Sequence, residues 1–190
     1  MSRKAAVLFA EGFEEIEAVT PVDILRRAGI ETLMAGVAGM EVVGVHGIPI
    51  RVDVPVEKLK GAEFDLLVLP GGGPGSKRLG SSGEARRATE EAFRSGRLVA
   101  AICAAPVYTL SAWGLLSGRR ATCYPGMENQ FADDVLFSPE NVVRDGNIIT
   151  SRGAGVALDF SLALAAALAG EAAADKLAAT VMFCTKNERP

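Results

Sequence analysis

The sequence predicts an α/β fold with a mostly parallel central sheet and helices on both faces. Three observations point there. Short apolar runs alternate with amphipathic helical patterns along the chain. The first run, Ala5 to Ala10, is apolar without a break, as in a strand covered on both faces. The run Leu98 to Ile102 passes abruptly into a helical stretch, as the strands of crossover units do.

Each element follows from local pattern. From Glu14 to Ala28, Ile16, Val19, Val22, Ile24 and Leu25 fit one broad helical face, and Pro21 predicts a kink or break within it. A second strand, Glu31 to Val37, follows Gly29. Val42-Val43 and Ile48 to Val54 flank Gly47, so Met40 to Val54 is expected to form an antiparallel hairpin grafted onto the sheet. Asp65 to Leu69 is a buried strand running into Pro70-Gly71-Gly72-Gly73-Pro74-Gly75. Gly83 to Phe93 is a charged, solvent-facing helix. Leu98 to Ile102 is a central strand, with a helical stretch from Pro106 to about Leu116. Asp145-Gly146 between β-branched runs predicts a second hairpin over Asn141 to Thr150. Gly153-Ala154-Gly155 opens an alanine-rich helix to Ala169, and a last helix is expected from about Ala172 to Cys184.

Composition bounds the function classes. The chain has 190 residues, 49% of them apolar, which exceeds what a disordered chain carries. At roughly 150 residues per domain, one domain is expected. The formal net charge is -3 and the basic residues are scattered, so no nucleic-acid partner is expected. The apolar stretch after Met1-Ser2-Arg3-Lys4 meets Glu11 too early for a signal peptide. Val156 to Ala169 is too short to span a bilayer, so no membrane partner is expected either. Cys103, Cys123 and Cys184 form no CxxC pair, which argues against a disulfide scaffold and for a cytoplasmic protein. No Cys/His/Asp/Glu cluster has metal-ligand spacing, so no metal is expected.

The strongest chemical signal is Cys103, at the junction of strand and helix. Such a turn holds its side chain in a strained backbone at the sheet's C-terminal edge, where open α/β sheets bind ligands. The free N–H groups of the following helix predict a lowered thiol pKa and make Cys103 the most oxidisable of the three thiols. The plain alternative is a small buried hydrophobe between alanines. Gly71 to Gly75 could line an oxyanion site with backbone N–H groups, or make a tight turn. It matches neither the Walker pattern nor GxGxxG. Glu14, Glu15 and Glu17 favour the positive end of the first helix. Glu17 alone sits beside the buried stripe, where a carboxyl could stay protonated and shuttle a proton; Glu14 is expected in solvent. His46, the only histidine, reads as an exposed turn residue, and the Tyr124 hydroxyl could lie near the sheet edge.

These residues resemble the ThiJ/PfpI superfamily, in particular its branch of Parkinson-disease-associated protein deglycases and their bacterial relatives. The resemblance covers nearly the whole chain. It runs through Glu11-Gly12-Phe13-Glu14-Glu15-Ile16-Glu17, Pro21-Val22-Asp23, Arg26-Arg27-Ala28-Gly29-Ile30 and Val68-Leu69-Pro70-Gly71-Gly72. It continues in Ala100-Ala101-Ile102-Cys103-Ala104-Ala105-Pro106 and Thr150-Ser151-Arg152-Gly153-Ala154-Gly155. The resemblance implies a flavodoxin-like three-layer sandwich over residues 1–190, akin to the class I glutamine amidotransferase domain, and a homodimer. It implies Cys103 as nucleophile, Glu17 as its protonated partner, and Gly72 and Ala104 amides as an oxyanion pocket, with Gly71 beside them.

The implied activity is a cofactor-free glyoxalase or deglycase for methylglyoxal-type dicarbonyls or their early adducts, linked to oxidative and carbonyl stress. A redox sensor or chaperone using the same cysteine is the alternative from another class. Two departures matter. Vertebrate members place a histidine where this chain has Tyr124, which donates a hydrogen bond but is a poor base near neutral pH. The protease-like branch has a histidine directly after the nucleophile, where this chain has Ala104. That argues against a peptidase, and no downstream histidine exists for a glutaminase triad.

Overall fold

The computed structural model describes residues 3–183. Its first strand, β1 (Lys4–Phe9), is buried from Ala5 onward. Ala5, Val7 and Phe9 enter one core and Ala6, Leu8 and Ala10 the other. This period of two is what a strand covered on both faces requires. Around it stand β2 (Glu31–Gly36), β5 (Val54–Pro55), β6 (Leu66–Leu69), β7 (Leu98–Ile102), β10 (Val142–Asp145) and β11 (Ile148–Ser151). The seven strands run in the order β10-β11-β7-β6-β1-β2-β5, while the short β8 (Arg120–Ala121) and β9 (Leu136–Phe137) pair apart from them. Every neighbouring pair is parallel except β10 and β11.

The chain leaves β1 for β2 on one side and returns to β6 on the other. A crevice therefore opens between β1 and β6 at their C-terminal ends, the usual ligand position in such sheets. Helices α1 (Glu15–Arg27) and α4 (Ala157–Ala169) pack together over one face. Helices α2 (Gly73–Ser81) and α3 (Gly83–Arg94) cover the other. A last helix, α5 (Glu171–Thr180), packs on α4. This is the flavodoxin-like three-layer sandwich that the resemblance implies. Cys184, and the end of the helix expected to reach it, lie outside the described residues.

Four local expectations change. Helix α1 runs through Pro21 without a break. The proline forfeits one hydrogen bond, but it is buried with Ala18, Val22 and Leu25 and the packing holds the helix together. The first hairpin forms from β3 (Glu41–Val43) and β4 (Pro49–Arg51), yet as a separate two-stranded sheet rather than a graft. It is tied to the loop after β1 by Gly12 N–H to Val43 O and Val45 N–H to Phe13 O, both 2.8 Å. The glycine run is loop only to Gly72, because α2 starts at Gly73 with Pro74 in its first turn, where a missing N–H costs nothing. After Cys103 the helical stretch expected from Pro106 is a π-helix over Pro106–Ser111, continued by hydrogen-bonded turns to Gly118.

The hairpin has a second tie. Glu15, buried, accepts from the His46 backbone N–H at 2.8 Å and faces its Nδ1 at 2.8 Å. Burial works to raise the Glu15 pKa, but these hydrogen bonds outweigh it and hold the carboxyl below its ordinary value. The same hydrogen bond and the Glu15 charge raise the pKa of the exposed His46. The His46 contribution to stability is therefore present below its ordinary pKa of 6.5 and fades as pH rises through the elevated folded value. The Glu15 contribution is present above 4.5 and fades as pH falls through its depressed value. Urea unfolding of His46→Ala against wild type should show a larger loss near pH 6 than near pH 9. An equal loss at both would mean the pair holds the hairpin without charge.

Candidate active site

Four loops meet at the C-terminal edge of the sheet, and the backbone laces them together. Cys103 follows β7 directly and adopts φ 66°, a left-handed conformation rare for a residue with a Cβ. Strain of this kind is on the order of 1–3 kcal/mol and persists only where surroundings dictate it. Here the Cys103 N–H donates to Ser151 O at 2.9 Å, and its carbonyl accepts from the Tyr124 N–H at 2.8 Å. The turn predicted from the strand-to-helix switch is thus present, and it lifts the side chain to the crevice. Only 9% of the residue is exposed.

Glu17 reaches the same point from α1. It is 1% exposed, and its Oε2 has no partner at full hydrogen-bond geometry. Its nearest polar neighbours are the Cys103 thiol and the backbone N–H groups of Gly71 and Ala154. Gly71 explains how carboxyl and thiol come so close. A Cβ at Gly71 would overlap both Glu17 Oε2 and the Cys103 Cβ, so only glycine fits between them. Gly72, at φ 88°, is confined as tightly, since a Cβ there would sit 2.5 Å from Gly12 O.

The N–H groups of Gly72 and Ala104 face the sulfur and stabilise charge on it. The Tyr124 ring is half-exposed at the rim. A Cβ on Gly153 would lie 3.5 Å from that ring and 3.6 Å from Glu17 Oε1, so ring and carboxyl flank the same glycine. Cys103, Glu17, Gly71, Gly72, Ala104 and Tyr124, six residues drawn from four segments of the sequence, therefore occupy one place.

The expected acidity of the thiol is not what the structure has. Burial, then the Glu17 charge, pushes the Cys103 thiol up to about 12 against the pull of the Gly72 and Ala104 N–H groups. Cys123, also buried, is pushed to about 12 by burial first. What distinguishes Cys103 is a partner for its proton. Burial raises the Glu17 carboxyl to about 7, with the thiol hydrogen bond pulling it down and the Glu14 charge pushing it up. Above the Glu17 midpoint the two groups hold one proton between them, and Glu17 is the group beside the sulfur able to take it.

Glu14 also departs from expectation. It is the N-cap of α1 and half-buried, with its side chain accepting from the Glu17 N–H at 2.7 Å. The spacing Glu14-x-x-Glu17 matches an N-cap and its third helical residue, a signal available in the sequence. Gly153 and Ala154 lie against Glu17 without any residue-level signal for that role. Among the described residues, Glu14, Glu15 and His46 are the three whose ligand-type atoms lie within 4.8 Å of one another. Both Glu15 oxygens already face His46 and Glu14 caps α1, so no metal is assigned to them.

A family model described as the DJ-1/PfpI family matches residues 3–167. Protein dj-1beta of Drosophila melanogaster is 42% identical over 176 residues, 90% of this chain and 92% of that protein. A deglycase of Pyrococcus abyssi is 36% identical, over 80% of this chain and 91% of its own. The structure of oxidized Toxoplasma gondii DJ-1 superposes with a TM-score of 0.94 at 34% identity, covering 97% of this chain and all of that one. No helix among the described residues is long and apolar enough to cross a membrane.

The buried carboxyl has a measurable signature. Its folded pKa of about 7 exceeds its ordinary 4.5, so its contribution is fully present below 4.5 and is lost as pH rises through 7. Glu17→Gln removes that loss. Its stability relative to wild type, from denaturant unfolding, should be greater near pH 8 than near pH 5 by on the order of 2–3 kcal/mol. A pH-independent difference would mean that Glu17 ionises as easily folded as unfolded.

Proposed function

Because the chain belongs to the DJ-1/PfpI family, we propose that it is a cysteine-dependent, cofactor-free glyoxalase or deglycase acting on methylglyoxal-type dicarbonyls or their early adducts. The observation that carries this reading is the pairing of a strained Cys103 with a buried Glu17 across Gly71, under two backbone N–H donors. The deglycase name of the archaeal relative supports the same reaction class.

The geometry suits the following sequence. In the tautomer with the proton on Glu17, the Cys103 thiolate adds to the aldehyde carbon and forms a C–S bond. The carbonyl electron pair moves to oxygen, which Gly72 and Ala104 N–H groups stabilise. Glu17 gives its proton to that oxygen, leaving a hemithioacetal and a carboxylate. The carboxylate then takes the C1 proton while the electron pair moves to the C2 oxygen, giving an enediolate; the C1 hydroxyl proton passes to the C2 oxygen and Glu17 returns its proton to C2, giving a hydroxyacyl thioester. Water adds to the thioester and expels the Cys103 thiolate, so one dicarbonyl and one water become one hydroxy acid. Deglycation of an early adduct uses the same groups with an amine or thiol leaving. Tyr124 at the rim is suited to hydrogen-bond substrate, and Gly71 to leave the carboxyl access to it.

Glutathione-free turnover of methylglyoxal is the test. Cys103→Ala should abolish it, and Glu17→Gln should lower kcat roughly 10²–10⁴-fold, the range for a positioned acid–base group. Exposed Glu31→Gln on β2 should leave it unchanged. A wild-type protein without turnover, whose Cys103 still oxidises selectively under limited peroxide, would instead favour the redox-sensor or chaperone reading.

We further propose a cytoplasmic homodimer. Ile16 and Val19 on α1 and Met40, Val45 and Ile48 on the hairpin are exposed large hydrophobics, and the Glu15–His46 tie joins their two elements. An apolar face of this kind suits a self-complementary two-fold contact. Light scattering at micromolar concentration should give about twice the 19.8 kDa chain mass. Ile16→Arg should yield monomer, because burying like charges unpaired costs several kcal/mol, in order of magnitude. A monomeric wild type, or a dimeric Ile16→Arg, would remove this interface.

A further inference from the structure

We infer that Glu14 is a positioning residue for Glu17: its carboxylate, seated on the Glu17 N–H, both aims that side chain at Cys103 and supplies the like charge that keeps the proton on the pair. The inference deepens the reading above and rests on Glu17 as the group that moves the proton.

Three bonds make Glu14 the joint between the helix and the glycine loop. Its Oε2 accepts from the Glu17 N–H at 2.7 Å. Its own N–H donates to Gly71 O at 3.1 Å, fixing the residue that separates carboxyl from thiol. Its carbonyl accepts from the Ala18 N–H at 3.1 Å, closing the first turn. The start of α1 and the Gly71 backbone are therefore held by one residue, and Glu17 leaves the helix one turn later with little freedom to aim elsewhere.

Its charge has a separate effect. The groups facing Glu17 are the Cys103 thiol at the end of β7, the N–H groups of Gly71 and Ala154, the Tyr124 ring across Gly153, and Glu14. Glu15, the next carboxylate along, is turned away to His46. Among those neighbours the Glu14 carboxylate is the one whose charge works with burial to hold a proton on Glu17. An uncharged cap such as serine or asparagine would serve the helix as well or better. A glutamate cap is a weak choice for the helix and a useful one for Glu17.

The test is the titration of the Glu17 side-chain carboxyl carbon, followed by NMR in the full chain, with iodoacetamide alkylation of Cys103 across the same pH range. Glu14→Gln keeps an oxygen acceptor and removes the charge. It should leave thermal unfolding nearly unchanged and move the Glu17 midpoint down by roughly half a unit or more. Alkylation on the plateau above that midpoint should fall about threefold, because the shared negative charge moves from sulfur to the more acidic carboxyl. Glu14→Ser, a second neutral cap, is read in its place if Glu14→Gln does not fold. Glu15→Gln removes equal charge one residue away and should leave the midpoint in place.

An unmoved midpoint in both Glu14 variants would overturn the inference, as would an equal shift from Glu15→Gln. The proposed reaction is read separately. Dicarbonyl turnover that needs Cys103 and Glu17, with an unmoved midpoint, rejects the role of Glu14 and keeps the enzyme. A shifted midpoint in a protein without turnover does the reverse.

Discussion

A carboxyl and a thiol meet across a single glycine, and much of the surrounding structure serves to keep them there. Gly71 has no side chain because Glu17 and Cys103 fill the space one would need. Placing them so requires α1 to start where it does, β7 to end in a left-handed residue, and the loop after β6 to pass between the two. None of these conditions is favourable alone. Cys103 is strained, Glu17 is buried with an oxygen lacking a good partner, and both groups lose water. The order of magnitude of these costs, a few kcal/mol together, is comparable with a sizeable part of a domain's net stability. A seven-stranded sheet buried on both faces is the kind of support that can offset them.

The same burial acts on the proton affinity of the sulfur. In water-exposed sites a cysteine at a helix start is acidified by aligned peptides. Here the sulfur has lost most of its water and faces the Glu17 charge, so the thiol is pushed up despite the Gly72 and Ala104 N–H groups. The Glu17 carboxyl is raised by burial as well. Two groups whose charged forms are both disfavoured share one proton, which makes internal transfer between them easier than release to solvent. A chemistry that needs the proton to leave sulfur, reach an oxygen and later move between carbons suits such a pair.

Outside the crevice, the hairpin and the first turn of α1 form one unit. Glu15 turns to His46, Ile16 points outward and Glu17 enters the buried site. Three consecutive residues thus serve the hairpin, an exposed apolar face and the buried site respectively. Rotation of about 100° per residue is enough to send neighbours on a helix to three different surroundings.

Much of this was legible along the chain. The period-two burial of β1, the unbroken apolar runs of β6 and β7 and the Asp145-Gly146 hairpin are local patterns, because strand faces and turn conformations depend on neighbours in sequence. The junction at Cys103 was legible for the same reason, as a change of period within a few residues. Other features depended on what packs against them. Whether Pro21 breaks α1 was decided by the core beneath it, and whether the first hairpin joins the sheet by hydrogen bonds to the loop after β1. The thiol's proton affinity followed from burial, which no spacing encodes. Glu14, Glu15 and Glu17 look alike in the sequence and become a cap, a tie to His46 and a buried partner for Cys103. Local backbone preference and hydrophobic period set the layers and the turn that presents the sulfur, and both can be read along the chain. The tertiary structure alone decided which carboxyl meets that sulfur and which group holds the proton, because desolvation and contact depend on segments far apart in the chain.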